Sequence, residues 1–176
     1  MTSKRLGLVG CFVAAIMLAA PAAAQEIKQL GTFNVWTAWS GTDANGPMCY
    51  ISSQPESWGP QQIDGREVRR SPIHFLVINR KGLGTRNEVQ TMVGYPFDET
   101  NSNATATIDG KTYRMVTEGE AAWLAVEADE PGFVEALKAG TKLVVKGTSS
   151  KGNVMSDTYS LSGVTAAMNE IQKACT

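Results

Sequence analysis

Ala104-Thr105-Ala106-Thr107-Ile108-Asp109-Gly110-Lys111-Thr112-Tyr113-Arg114-Met115 reads as two strands joined by a two-residue turn. Asp-Gly suits such a turn because its central positions take positive φ, which glycine adopts freely and aspartate tolerates. Pairing outward from the turn puts Ala104, Ala106, Ile108, Tyr113 and Met115 on one face. Thr105, Thr107, Thr112 and Arg114 fall on the other. One apolar and one polar face is what an antiparallel sheet covering a core requires.

The same pattern extends in both directions. Thr32 to Trp39 alternates and predicts a strand with both faces partly covered. Pro47 to Ser53 is a second short strand, and residues 54–65 form a loop rich in proline and glycine. Ile73 to Ile78 is a continuous apolar run, which marks a buried central strand. Glu88 to Val93 and Ala121 to Glu127 are further strands, and Thr141–Thr148 with Val154–Leu161 form a pair turning near Lys151-Gly152-Asn153. A helix is predicted near 130–139, capped by Asp129 or Glu130, with Pro131 in its first turn and Gly140 ending it. A second helix near 164–175 carries Val164, Ala167, Met168, Ile171, Ala174 and Cys175 on one stripe. Many strands and two short helices predict a mainly β fold, an antiparallel sandwich or barrel-like domain.

The N-terminus sets the expected compartment. Lys4 and Arg5 precede an apolar run from Leu6 to Ala20, and small residues stand at Ala22 and Ala24. Basic start, apolar middle and small-residue site together read as a signal peptide cleaved between Ala24 and Gln25. The run is short for a membrane span, which needs about 20 apolar residues. Leu8-Val9-Gly10-Cys11 matches a lipoprotein cleavage box, but only five residues separate Arg5 from Cys11 and the apolar run continues beyond it. Cleavage after Ala24 is therefore the reading, with one β-rich domain over 25–176. No later stretch is apolar enough to cross a membrane, so a periplasmic or secreted protein is expected.

Removing Lys4 and Arg5 from 16 basic residues leaves 14 against 17 acidic ones, a formal charge of −3. That is not the balance of a general nucleic-acid binder. Two cysteines remain after cleavage, Cys49 and Cys175, and an even count in an oxidising compartment predicts a disulfide between them.

Catalytic and metal-binding patterns are sparse. His74 is the single histidine and lies in the apolar Ile73–Ile78 run, on the face of Leu76 and Ile78. It reads as a partly buried strand residue, the alternative being a general base. Asp157 shares a face with Met155, Tyr159 and Leu161, so it is either paired with a basic residue or a carboxyl of raised pKa with a catalytic use. One histidine and two bridged cysteines do not make a usual zinc set. Gly147-Thr148-Ser149-Ser150-Lys151 lacks the last glycine of a nucleophile elbow. Asp98-Glu99-Thr100-Asn101-Ser102-Asn103 is oxygen-rich without calcium-loop spacing. No phosphate-cradling or dinucleotide motif is present, and no cofactor is expected.

Two surface features are candidates for binding. Arg66, Arg69, Arg70, Arg80, Lys81 and Arg86 are six of the 14 remaining basic residues. They flank the Ile73 strand, which suggests two clusters at neighbouring sheet ends, either solvated loops or a patch for an anionic envelope or host-surface macromolecule. Trp58, in the 54–65 loop, is either a contact anchor or a ring folded back on the core.

Cys49-Tyr50-Ile51-Ser52-Ser53-Gln54-Pro55, then Gly94-Tyr95-Pro96-Phe97, then Asp157-Thr158-Tyr159-Ser160-Leu161-Ser162-Gly163-Val164-Thr165-Ala166-Ala167 leading to Cys175, resemble the invasion-associated locus B family. Phe33–Trp36 fits as well. The resemblance covers essentially all of the expected mature chain. It implies an exported, envelope-associated domain of β-sandwich type, associated with entry into host cells. It supplies no catalytic residues. Three functional expectations follow: a non-enzymatic binding protein first, then a periplasmic hydrolase using Asp157 or His74, then an inhibitor or stability factor for another protein.

Overall fold

The computed structural model describes residues 27–175, so the expected cleavage at Ala24–Gln25 and the Cys11 box lie outside it. In chain order the strands are β1 (Lys28–Phe33), β2 (Trp36–Asp43), β3 (Gly46–Ser53), β4 (Ser57–Gly59), β5 (Gln62–Ile63), β6 (Arg66–Glu67), β7 (His74–Arg80), β8 (Thr85–Met92), β9 (Thr105–Ile108), β10 (Lys111–Glu118), β11 (Ala121–Leu124), β12 (Lys142–Thr148) and β13 (Val154–Ser160). The helices are α1 (Glu130–Ala139) and α2 (Val164–Ala174).

Eleven strands hydrogen-bond in the order β1-β2-β3-β7-β8-β11-β10-β9-β12-β13-β4, with β5 and β6 forming a separate hairpin. The sheet folds over on β10. Lys111–Arg114 pair with β9, while Met115–Glu118 pair with β11. The two halves then face each other across the core, as the sandwich or barrel-like expectation requires. The Trp36 indole N–H of β2 donates to the Ser160 carbonyl of β13 at 3.0 Å. Phe75 of β7 meets Tyr159 of β13 with ring centroids 5.7 Å apart.

The turn that opened the reading is present as expected. Lys111 pairs with Ile108 and Tyr113 with Ala106, and Ala104, Ala106, Ile108, Tyr113 and Met115 are all buried. Helix α1 closes one side of the core with Phe133, Val134 and Leu137. Phe133 stacks on Phe75 and meets Tyr113 edge-on. Full burial of one such ring is worth roughly 1.5–3 kcal/mol. The Asp129 side chain makes no capping hydrogen bond; Gly140 ends α1 by donating its N–H to the Ala136 carbonyl.

Several boundaries differ from the sequence reading. Thr32–Trp39 is not one strand. Asn34 takes φ 52°, and Phe33 pairs with Trp36 across a tight turn between β1 and β2. After the break Trp36 and Ala38 are fully buried, while Val35 in the turn is exposed. The 54–65 loop contains β4, which pairs with the edge of β13. The Ala121 strand stops at Leu124, and Glu127–Asp129 make a single 3-10 turn. On α2, Val164, Ala167, Met168 and Ile171 are buried, but Ala174 is exposed.

Cys49, fully buried on β3, is bonded to Cys175 just beyond α2, with Cα atoms 5.9 Å apart and a sequence separation of 126. The bridge fixes the end of α2 against the strands beneath it. Among the described residues no helix is long and apolar enough to cross a membrane.

Candidate functional site

Residues 54–73 form a strap across one end of the sandwich. Its first end is held by β4, where Trp58 pairs with Asp157, and by the Glu56 N–H donating to the Thr158 carbonyl at 2.8 Å. Its second end is held by the Ser71 N–H on the Gly94 carbonyl at 3.1 Å. The closest fastening is Arg70. Its Nη1 and Nη2 donate to the two carboxylate oxygens of Asp157 at 2.6 and 2.7 Å, and its Nε donates to the Val93 carbonyl at 2.8 Å. Nη2 also reaches the Val93 carbonyl. The guanidinium lies 4.9 Å from the Tyr95 ring centre and 5.4 Å from that of Trp58. A planar guanidinium fits this site because its fork matches a carboxylate while its faces accept aromatic rings.

This arrangement corrects one expectation and bears out another, the pairing of Asp157 with a basic residue. Arg70 is not part of an exposed basic patch: its side chain and that of Asp157 are each 2 % exposed. Nor is Asp157 available for catalysis, since both oxygens are engaged by Arg70. Burial raises its pKa, opposed by the hydrogen bonds and charge of Arg70. Burial also raises the Tyr95 and Tyr159 hydroxyls, with the Asp157 charge acting in the same direction. The Tyr159 hydroxyl is buried without a hydrogen-bond partner of normal geometry; Thr91 is its nearby hydroxyl neighbour. Trp58 folds back, half-buried against the core and Arg70, rather than projecting into solvent.

Under the strap lies a cleft of about 710 Å³. Tyr95, Ser149 and Met155, all buried, make its floor. The β5–β6 hairpin forms one wall, where Ile63 and Val68 pack toward the core while Arg66 and Arg69 are exposed. Lys151, in the turn between β12 and β13, lines the same cleft. The hairpin also brings Asp64 and Glu67, and Glu67 lies 3.9 Å from Arg69 with both side chains largely exposed. An exposed ion pair of that length holds Arg69 only weakly.

Arg80, Lys81 and Arg86 do not join this site. They lie at the opposite end of β7, roughly 20 Å away for a strand of this length. The expectation of neighbouring sheet ends is therefore wrong: β7 runs between the two clusters and separates them. There the three residues border a smaller groove of about 240 Å³ with Lys138 of α1 and Asn169 and Gln172 of α2. Arg80 is engaged by Asp43 at 3.3 Å and Glu88 at 3.0 Å, which offsets its charge. The sequence reading of one basic patch thus divides into Arg66 and Arg69 at the strap, Arg70 in the interior, and the rest by α2.

His74 lies half-buried on the outer face of β7, opposite Met92 of β8, and lines neither the strap cleft nor the α2 groove. With Asp157 held by Arg70, a hydrolase built on either residue has no geometry to support it. The Asp98 Oδ1 accepts from the Thr100 N–H, the Thr100 hydroxyl and the Asn101 N–H, which ties the start of its loop into a local turn. Lys151 is the contributor that the sequence reading missed. It sits in a predicted turn, and nothing local links it to Arg66.

Residues 42–172 match the family model described as invasion associated locus B protein. The chain belongs to the invasion associated locus B family. Among solved structures, it is similar to the crystal structure of invasion associated protein B from Bartonella henselae. That match has 15 % identity and a TM-score of 0.52, covering 86 % of this chain and 98 % of that one. At such identity the likeness concerns the fold. No curated protein matches this sequence. Within this invasion associated locus B domain, Tyr95 and Asp157 come from two of the stretches that carry the family resemblance, and Arg70, which lies outside them, joins both in one buried cluster.

Proposed function

We propose that this protein is exported to the bacterial envelope, periplasmic or secreted, and works there as a binding protein for an anionic partner macromolecule rather than as a catalyst. The observation that carries this reading is the strap cleft, with Arg66, Arg69 and Lys151 around a floor held in place by the Arg70–Asp157 pair. A floor fixed before binding lowers the ordering cost of association, and exposed cations at its rim favour acidic groups on a partner. Family membership supports an envelope role, and the family's name directs the search toward host-cell surfaces as well as the bacterium's own envelope.

The test is a pull-down from envelope fractions and from host-cell surface extracts, with quantitative comparison of the wild-type protein and the Arg66→Ser/Arg69→Ser variant. Both side chains are exposed, so the variant should keep the fold. A partner retained saturably by the wild type and lost by the variant supports the reading. A partner held equally by both would remove the strap cleft as the binding site.

A further inference from the structure

The sheet half made of β2, β3, β7, β8 and β11 turns one face to the core, where Cys49, Ile51, Phe75, Val77, Val89 and Ala122 are buried. Residues paired directly across strands share a face, so the register gives the opposite face. One row there runs Thr37, Ser52, Leu76, Gln90, Trp123 and Val116, each paired with the next. A second row runs Trp39, Tyr50, Ile78 and Glu88. His74 and Met92 open a third, which ends at Glu118.

A solvent-facing sheet surface ordinarily carries polar side chains. Here Trp39, Tyr50 and Trp123 stand on it, each partly exposed, with Leu76 between them and Val116 53 % exposed. Trp39 is held in place: its indole N–H donates to Ser52 Oγ at 2.9 Å, and its ring stacks on Tyr50 at 6.2 Å. Neutral hydrogen-bonding groups are set among the rings. The Gln90 amide N–H meets only the weak sulfur acceptor of Met92, at 3.8 Å, which leaves its carbonyl oxygen for a ligand. Charged ends of these rows are Glu88, paired with Arg80 at 3.0 Å, and Glu118 on β10.

Three properties of this face select its occupant. Its three rows over six strands cover roughly 24 by 14 Å, well short of the ~800 Å² per partner that a stable protein interface needs. Its uncharged middle offers nothing to a strongly charged partner. A wholly apolar chain would leave Gln90, Ser52 and His74 without partners. A sugar ring meets all three conditions, because it has an apolar face of C–H groups and a rim of neutral hydroxyls. We infer that this face binds a neutral glycan chain, with sugar rings stacked on Trp123 and on the Trp39–Tyr50 pair and with Gln90 and His74 bonded to hydroxyls. Tyr50 and Trp123 are three strands apart, roughly 15 Å, so one chain several rings long reaches both. None of these residues lines the strap cleft, and the inference stands apart from the role proposed for it.

The test is calorimetric titration of the whole mature protein with cellohexaose, chitohexaose and maltohexaose, with glucose as the short control. Saturable binding of at least one hexasaccharide is expected, together with a change in tryptophan fluorescence, and little from glucose. Trp123→Ala should weaken binding about tenfold or more. Gln90→Ala, which keeps every ring, should weaken it as well, and thermal unfolding checks that both variants stay folded. Arg66→Ser/Arg69→Ser at the strap should bind as the wild type does. No binding of any of the three hexasaccharides, binding undiminished in Trp123→Ala and Gln90→Ala, or equal loss in the strap variant would overturn the inference. So would a dimer in sedimentation that Trp123→Ala dissociates, since the face would then belong to a second copy. None of those outcomes decides the pull-down, which reads the strap cleft.

Discussion

Arg70 and Asp157 meet through a two-pronged ion pair, with donor–acceptor distances of 2.6 and 2.7 Å, although 87 positions separate them in the chain. The pair joins the strap to β13 inside the protein, where neither side chain reaches solvent to any extent. Breaking a buried pair from one side leaves an uncompensated charge, which typically costs about 3–5 kcal/mol. Asp157→Asn is therefore expected to lower the unfolding free energy in urea by that order. The double variant Arg70→Met/Asp157→Leu should lose clearly less than the two single variants added together, because no lone charge remains. Additive losses would mean that the two residues stabilise the fold independently.

Closing a loop as long as that between Cys49 and Cys175 contributes roughly 4–5 kcal/mol in the chain-entropy model, with measured values often smaller. Reduction, or the Cys49→Ser/Cys175→Ser variant, should lower the urea midpoint and raise hydrogen exchange first in α2, whose end the bridge holds. Unchanged exchange in α2 would show that packing of Val164, Ala167, Met168 and Ile171 suffices to hold the helix.

Gly65 and Gly94 both take positive φ, at 72° and 68°, yet their surroundings differ. A Cβ on Gly65 would meet nothing within 4 Å, whereas one on Gly94 would lie 2.3 Å from the Ser71 carbonyl oxygen. Gly65→Ala should cost only the left-handed backbone penalty, about 1–2 kcal/mol. Gly94→Ala must also push the strap away from its anchor and should be the more destabilising of the two in thermal unfolding. The reverse order would contradict the close approach of strap and sheet.

The Asp109 carboxyl is held below its ordinary value chiefly by the Thr141 backbone N–H, joined by the Thr141 hydroxyl and the Lys142 N–H. A carboxyl lowered by folding stabilises the folded state above its unfolded pKa, near 3.8, and that contribution disappears as pH falls through the lower folded value. Asp109→Asn keeps the turn but cannot titrate. Its urea midpoint should fall less steeply on acidification than that of the wild type, and parallel acid limbs would show that this linkage is absent.

The sequence by itself determined the elements whose signal is local. Alternation around Asp109-Gly110 set the β9–β10 register, and Pro131 with Gly140 bounded α1, because turn and helix-end preferences act over a few residues. It also contained the family resemblance that the match over 42–172 established. It did not reveal the turn at Asn34, since alternation on both sides of a two-residue turn looks like one continuous strand. The sorting of the basic residues was likewise decided only by the tertiary structure. Arg66, Arg69 and Arg70 are near neighbours in sequence, but the strap turns one of them inward onto Asp157 and leaves the others at a cleft that Lys151 also lines. Burial of a charge depends on whether a partner from a distant strand arrives beside it, and the sheet order that brings β13 and the β12–β13 turn to the strap exists only once the whole chain has folded.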